Sequence, residues 1–221
     1  MAIQAVIWDF GGVFTTSPFE AFNRYEARRG LPTDLIRTVN STNPDSNAWA
    51  RFERGEIDSH GFDRQFLEES TALGHPLRGA EVLPLLSGAV RPRMVAALLV
   101  CKRHFKLGCI TNNMPQGHGP AIAASPDGAS RAGDIMRHFD AIIESSKAGL
   151  RKPDPRIYLM MCERLGVEPS ACVYLDDLGV NCKPAARLGM VAIKVVTEAQ
   201  ALADLEAATS LKFPQDGAPS A

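Results

Sequence analysis

Short apolar runs recur along the chain, and most of them end at a polar residue. They cover residues 5–8, 106–111, 141–144, 171–175 and 190–196. Runs this short, bounded by turn residues, are typical of buried strands in a parallel sheet that is covered on both faces. Helical patterns over 94–105, 155–165, 180–188 and after Thr197 separate or follow the later runs. This alternation predicts an α/β protein, with a doubly wound parallel sheet and right-handed crossovers.

Residues 17–90 interrupt the alternation, because they show helical patterns and no further strand. Helices are predicted from Ser17 to Gly30, within residues 31–46, over 47–54 and over 61–73. Ser17 followed by Pro18 and Glu20 resembles a capped helix start, and Gly30 suits a helix end. An insertion of this size directly after the first strand predicts a helical cap over the carboxyl edge of the sheet. A peripheral helical layer is the alternative.

These patterns divide the chain into three parts. Residues 1–16 and 91–212 form the predicted α/β core, residues 17–90 the inserted helical cap, and residues 213–221 a disordered tail. Within the core, residues 116–133 are rich in Gly, Pro, Ser and Ala, which predicts a long loop with a short helix.

Composition adds little to this picture. The chain has 221 residues, 45% of them hydrophobic and 22% charged, with a net charge of −1. These values are typical of a globular protein and give no sign of a nucleic-acid or membrane partner. The five cysteines form no C-x-x-C pair, and no secretory signal precedes the first strand, so we expect a cytoplasmic protein without disulfides or a zinc site.

Polar side chains follow several of the predicted strands or stand in loops that lead from them. They are Asp9, Thr111 with Asn112, Lys152, and Asp176 with Asp177. A doubly wound sheet brings such residues to one edge. Carboxylates bind Mg²⁺ through oxygen, the amine and the Thr/Asn donors offset phosphoryl charge, and an Asp can attack phosphorus. Each residue alone is more common in a turn or cap, but the set suits a small phosphorylated substrate with Mg²⁺.

The order and spacing of these residues resemble the haloacid dehalogenase-like hydrolase superfamily. Residues 139–190, with the sequences KPDPRIY and YLDDLGVNCKPA, are similar to the N-terminal phosphatase domain of soluble epoxide hydrolases. They also resemble the matching domain of long acyl-CoA dehydrogenase fusion proteins. Residues 51–57 resemble the helical cap of these domains, whereas residues 116–133 match least well. The resemblance therefore covers nearly the whole chain.

The resemblance implies a role for each of the strand-end residues. Asp9 is implied as the nucleophile, and Lys152 as the residue that steadies the charge on nucleophile and phosphate. Thr111 and Asn112 are implied to hold the phosphoryl group, together with Lys152.

The same resemblance implies a magnesium site. Asp9, Asp177 and the backbone carbonyl of Gly11 are implied as direct ligands, with Asp176 in support. Phosphatases of the superfamily usually carry a second Asp at the position of Gly11, where it protonates the leaving alcohol. General acid–base catalysis contributes ~10²–10⁴-fold in rate, so Gly11 puts efficient turnover in question. His118, Thr15 or a water are alternative proton donors.

Three hypotheses about the function stay open at this point. The first is a Mg²⁺-dependent phosphatase, since some sugar-phosphate phosphatases of the superfamily also have Gly at this position. The second is a pseudo-phosphatase that binds a phosphorylated ligand or partner with little turnover. A 2-haloacid dehalogenase is disfavoured by the acidic pair Asp176–Asp177, and a phosphonatase by the absence of any lysine before Lys102.

Overall fold

A single parallel sheet organises the described part of the chain. The computed structural model describes residues 2–113 and 126–214. The strands are β1 (Ala5–Trp8), β2 (Lys106–Thr111), β3 (Ala141–Glu144), β4 (Cys172–Asp176) and β5 (Val191–Lys194). They lie in the order β3-β2-β1-β4-β5, with every neighbouring pair parallel. The chain thus starts in the middle of the sheet, which places the end of β1 between the ends of β2 and β4.

Helices cover both faces of this sheet. Along the core they are α6 (Pro92–Cys101), α7 (Pro126–Met136), α8 (Ser145–Ala148), α9 (Pro155–Leu165), α10 (Gly179–Arg187) and α11 (Glu198–Thr209). Val6 and Trp8 of β1 pack into the apolar cluster that contains α6 and α11, whereas Ala5 and Ile7 face the cluster that contains α9 and α10. Side chains of a strand alternate between its two faces, so a continuous apolar run suits a strand buried on both. The predicted α/β doubly wound fold is confirmed.

A helical insertion separates β1 from α6. Its helices are α1 (Pro18–Arg29), α2 (Leu35–Ser41), α3 (Ala48–Glu53), α4 (Ser59–Ala72) and α5 (Gly79–Val82), followed by a 3₁₀ turn at Leu83–Leu86. The insertion has its own apolar cluster, in which Phe52, Phe62 and Phe66 are buried. Its two connections to the core lie side by side, since Thr15 and Val90 form an antiparallel bridge. The domain boundaries and the role of this insertion as a cap remain predictions.

Several local details differ from the sequence prediction. Ser17 precedes α1 but its side chain makes no capping bond to that helix; its hydroxyl instead donates to Asp177 Oδ2 at 3.5 Å. α7 begins at Pro126, inside the stretch expected to be mostly loop. Phe213, the first residue of the predicted tail, is buried in the apolar cluster on one face of the sheet. His118 and residues 215–221 lie outside the described residues.

The described helices were also compared with the length and apolarity that a membrane span requires. None of them is both long and apolar enough to cross a bilayer.

Candidate active site

One buried ammonium group connects two carboxylates at the carboxyl edge of the sheet. Lys152 Nζ lies 2.7 Å from Asp9 Oδ1 and 2.8 Å from Asp176 Oδ2. Asp9 directly follows β1 and Asp176 is the last residue of β4, the neighbouring strand. The Lys152 side chain is only 1% exposed, so the three charges interact with little screening by water. The sheet topology thus brings together three residues that are far apart in the sequence.

The pKa values of this group reflect burial and mutual charge. Burial raises the pKa of Asp9 well above its ordinary value, and Asp176 and Asp177 raise it further, while Lys152 opposes the shift. Burial by itself lowers the pKa of Lys152, but Asp176 and Asp9 outweigh burial and raise it. The lysine therefore stays protonated, and an additional cation beside Asp9 would favour its ionised form.

Asp176 is completely buried, and its two oxygens are fully engaged. Oδ2 accepts hydrogen bonds from Lys152 Nζ, from the Tyr174 hydroxyl at 2.5 Å and from Asn181 Nδ2 at 3.1 Å. Oδ1 accepts from the Leu178 backbone N–H at 2.8 Å and from Asn181 Nδ2 at 3.0 Å. These donors compensate for the burial of the charge. Asp176 is therefore built to hold Lys152 in place.

Asp177 has a more open environment. Burial and the neighbouring Asp176 raise the pKa of Asp177 to about 7, and Lys152 opposes this shift. Its carboxylate lies directly on Gly12, where any Cβ would overlap it, and Gly12 has a φ of +72°. Glycine is thus required at this position both for the backbone conformation and for the close approach of Asp177.

The three carboxylates offer a site for a hard cation. Asp9, Asp176 and Asp177 each provide an oxygen, and these oxygens lie within 4.8 Å of one another. Oxygen ligands of this kind suit Mg²⁺. Gly11 lies in the turn between Asp9 and Gly12, and a Cβ placed on Gly11 would have no atom within 4 Å. Its predicted carbonyl contact with a metal stays a prediction.

Thr111 and Asn112 lie at the end of β2, next to the same edge. Thr111 is buried as the last residue of the strand. The Asn112 side chain brackets the main chain of Lys152: Oδ1 accepts from the Lys152 N–H at 2.9 Å, and Nδ2 donates to the Lys152 carbonyl at 3.1 Å. In this arrangement the Asn112 amide group bonds the Lys152 main chain rather than a ligand. The phosphoryl contacts predicted for Thr111 and Asn112 stay predictions.

Sequence reasoning missed four residues that support the site. Tyr174 and Asn181 hold Asp176, while Glu53 and Arg151 form an ion pair of 2.6 Å beside Asn112. The apolar run over residues 171–175 predicts only that Tyr174 lies in a strand. Tyr174 and Asp176 are two residues apart, so their side chains lie on the same face of the strand, and this spacing indicates that the Tyr174 hydroxyl can reach Asp176.

Comparison with known proteins identifies the family. A family model described as haloacid dehalogenase-like hydrolase matches residues 3–189. The chain belongs to this hydrolase family. Bifunctional epoxide hydrolase 2 of Mus musculus is 30% identical over 227 residues, which cover 97% of this chain and 40% of that protein. Acyl-CoA dehydrogenase family member 10 of Mus musculus is 31% identical over 217 residues, covering 96% of this chain and 19% of that protein.

The chain therefore spans less than half the length of these two relatives, at 40% and 19%. A relative of similar length is Phosphatase MT3486 of Mycobacterium tuberculosis, 29% identical over 211 residues and covered to 88% in both chains. The resemblance inferred from the motifs is thus confirmed for the family.

Solved structures of the family share the fold. A HAD family enzyme from Bacteroides thetaiotaomicron, in complex with magnesium and inorganic phosphate, aligns with a TM-score of 0.57 at 16% identity over 87% of this chain and 94% of that one. L-2-haloacid dehalogenase from Xanthobacter autotrophicus has the same TM-score of 0.57 at 19% identity, over 93% and 82% of the two chains. Fold alone therefore does not separate phosphatase from dehalogenase.

Proposed function

We propose that this haloacid dehalogenase-like hydrolase cleaves small phosphate monoesters with Mg²⁺, through an aspartyl phosphate on Asp9. The observation that carries the proposal is the Lys152 ammonium held between Asp9 and Asp176, with Asp177 beside them. A relative named as a phosphatase supports the reaction class. The magnesium and phosphate bound by a family member of the same fold support the cofactor.

Asp9 acts as the nucleophile in the proposed mechanism. One of its oxygens attacks phosphorus, the bond from phosphorus to the leaving oxygen breaks, and the leaving alkoxide takes up a proton from water. Water then attacks the same phosphorus, the bond to Asp9 breaks, and inorganic phosphate leaves. Lys152 favours the ionised form of Asp9 before attack, against the burial that raises its pKa, and it stabilises negative charge on the phosphoryl group during attack.

The carboxylate cluster fits a divalent cation, because three oxygens converge while one ammonium balances only part of their charge. Asp9, Asp177 and the Gly11 carbonyl would hold Mg²⁺, with Asp176 in support because its oxygens already accept from other donors. When bound, Mg²⁺ supplies positive charge close to the phosphoryl oxygens.

The alternative is a pseudo-phosphatase, which one observation favours. Gly11 stands where the family's phosphatases usually carry their general acid, and the space around it is open. Such a protein would bind Mg²⁺ and a phosphorylated ligand or partner with little turnover. A dehalogenase stays disfavoured, because the acidic pair Asp176–Asp177 lies beside Asp9.

The test is phosphate release from a panel of phosphomonoesters, with Mg²⁺ or with a chelator. We expect Mg²⁺-dependent release, and a loss of at least ~10³-fold in kcat for Asp9→Asn, whose amide cannot form the acyl phosphate. Asp177→Asn should weaken Mg²⁺ binding more than Asp176→Asn, measured by calorimetry. The folded state of each variant is checked by circular dichroism.

Each other outcome contradicts part of the proposal. Full activity of folded Asp9→Asn removes the nucleophile assignment. Halide release from a 2-haloacid without metal points to the dehalogenase. Binding of Mg²⁺ and inorganic phosphate without turnover of any ester supports the pseudo-phosphatase.

A further inference from the structure

Glu53, the last residue of α3, reaches from the helical insertion into the core. Its side chain is 9% exposed, and its Oε2 lies 2.6 Å from Arg151 Nε. The same oxygen accepts from Asn112 Nδ2 at 3.3 Å, while Oε1 accepts from the Trp49 indole N–H at 3.0 Å. Burial raises the pKa of Glu53, and Arg151 opposes the shift. An acidic side chain buried in this way needs its partners in place.

The two core partners of Glu53 both adjoin Lys152. Asn112 bonds the N–H and the carbonyl of Lys152 with its amide group. Arg151 is the residue before Lys152, and its Nη1 also donates to the Pro44 carbonyl at 2.9 Å. The position of the Lys152 backbone, and with it the ammonium between Asp9 and Asp176, therefore depends on groups that Glu53 holds.

The end of α3 is itself seated on the core. The Ser145 hydroxyl donates to the Glu53 carbonyl at 2.6 Å and to the Asn113 carbonyl at 3.1 Å. Gly55 has a φ of +72°, and a Cβ there would lie 2.7 Å from the Ser146 carbonyl oxygen. This close approach fixes the α3 end against α8, the short helix that follows β3. The Glu53 carboxylate is thus held at a defined distance from Arg151 and Asn112.

We propose that Glu53 is a positioning residue that couples the helical insertion to Lys152 through Arg151 and Asn112. The proposal rests on the proposed function for its catalytic consequence, but the structural coupling can be measured without activity. Among the described residues, the Glu53 carboxylate bonds Trp49, Asn112 and Arg151 rather than Asp9 or the proposed metal ligands, so it acts through its two core partners. Residues that orient catalytic groups in this indirect way typically contribute on the order of 10- to 100-fold in activity.

The first measurement compares Glu53→Gln with Glu56→Gln. Glu56 lies three residues further along and pairs with Arg51 and Arg54, and its side chain is 44% exposed. We expect Glu53→Gln to lower kcat about 10-fold or more with a smaller change in KM, because the lysine is displaced in the transition state. Glu56→Gln should match the wild type. Arg151→Gln should lower kcat similarly, and the double variant should be no worse than either single one.

The second measurement is hydrogen exchange of the Lys152 backbone amide by NMR, with Mg²⁺ present and no substrate. We expect exchange to accelerate about 10-fold in Glu53→Gln and in Arg151→Gln, and to stay unchanged in Glu56→Gln. If the wild type hydrolyses no ester but the exchange pattern holds, the proposed function fails and the coupling stands. Unchanged exchange in folded Glu53→Gln and Arg151→Gln overturns the coupling, as do strictly additive effects in the double variant.

Discussion

At the scale of single residues, the two adjacent glycines after β1 differ in whether their positions have room for a Cβ atom. Gly12 adopts a left-handed conformation, and any side chain there would overlap the Asp177 carboxylate. Gly11 does not have a positive φ, and a Cβ placed on it would have no atom within 4 Å. A Cβ can therefore be added at Gly11 without backbone strain or collision. This matters because Gly11 occupies the position where the family's phosphatases usually carry their general acid.

Gly11→Asp should therefore increase turnover of esters with poor leaving groups. In the wild type the leaving alkoxide has no carboxylic acid beside it, so alkyl phosphates should react much more slowly than p-nitrophenyl phosphate. Adding the acid should raise kcat for alkyl phosphates by up to ~10²-fold and flatten the dependence of the rate on leaving-group pKa. The measurement is kcat across a series of esters.

Gly11→Asn is the matched control, because its amide has nearly the same shape and cannot donate the proton of a carboxylic acid. A gain in both variants would mean that packing, not proton transfer, explains the effect. If the wild type already hydrolyses alkyl phosphates as fast as activated ones, another group supplies the proton. Thr15, whose hydroxyl oxygen accepts from the Gly12 N–H at 3.2 Å, is then a candidate among the described residues.

At the scale of elements, local patterns were sufficient where burial decides the structure. The apolar runs predicted all the described strands of the sheet. The helical pattern after Thr197 predicted α11, which Thr197 and Gln200 cap with a capping box. Long-range polar contacts were not predictable in this way. Asp176 was expected to stop β4, yet it is the last strand residue, because five hydrogen bonds from four residues satisfy its carboxylate. The pairing of Glu53 with Arg151 joins residues 98 positions apart.

The pairing of the two connections between the insertion and the core was likewise not predictable from local sequence patterns. A movable cap over residues 17–90 implies hinges near residues 15–17 and 89–92, but the sequence does not indicate that these segments pair. The Thr16 N–H donates to the Ala89 carbonyl at 2.9 Å, and the Arg91 N–H donates to the Phe14 carbonyl at 2.8 Å. Any movement of the insertion as a lid has to turn about this paired ribbon while it breaks the contacts at the other end, around Glu53 and Gly55.

We therefore expect a substitution at Gly55, in the contact that lies far from the hinge, to make the hinge segments more accessible to a protease. Gly55→Ala places a methyl group 2.7 Å from the Ser146 carbonyl oxygen, so subtilisin should cut faster near residues 15–17 and 89–92. Mg²⁺ with inorganic phosphate should slow this cleavage in the wild type, because closure of a lid protects its hinges. Fragment masses over time give the sites and rates.

Gly30→Ala is the control for backbone strain. Gly30 has a φ of +64°, close to that of Gly55, but a Cβ on it would have nothing within 4 Å. Each variant loses on the order of 1 kcal/mol from the left-handed backbone, while only Gly55→Ala disturbs the docking contact. Equal cleavage of both variants, or cleavage restricted to the C-terminal tail with and without ligand, contradicts a moving lid.

At the scale of the whole molecule, stability and the proposed function make opposite demands. Apolar clusters cover both faces of the sheet. At its carboxyl edge, three carboxylates lie close to one another and to one ammonium group. Because these carboxylates lie close together in a buried place, their repulsion is not screened well. Without a cation, this edge should destabilise the fold. Such a cost is typical of sites built to bind a charged ligand.

Asp177→Asn should therefore stabilise the protein in the absence of metal. The pKa of Asp177 is raised to about 7 in the folded state, above its ordinary value of 3.8. Between these two pH values the folded state keeps a proton that the unfolded state has lost, so stability falls as pH rises and the penalty is complete above about pH 7. We expect Asp177→Asn to gain about 1–2 kcal/mol at pH 8 in a chelator, less than the full shift because Asp177 is partly open to solvent.

Urea unfolding with a chelator at pH 4 and pH 8 measures this difference, which should nearly vanish at pH 4. Saturating Mg²⁺ should stabilise the wild type at pH 8 by binding the folded state, and should stabilise Asp177→Asn less, so that the order of stability reverses. Glu163→Gln, which changes an exposed carboxylate outside the cluster, is the control for a general charge effect. If Asp177→Asn is less stable than the wild type at pH 8 without metal, the carboxylate stabilises the fold. The cluster is then a structural feature rather than a site that requires a cation.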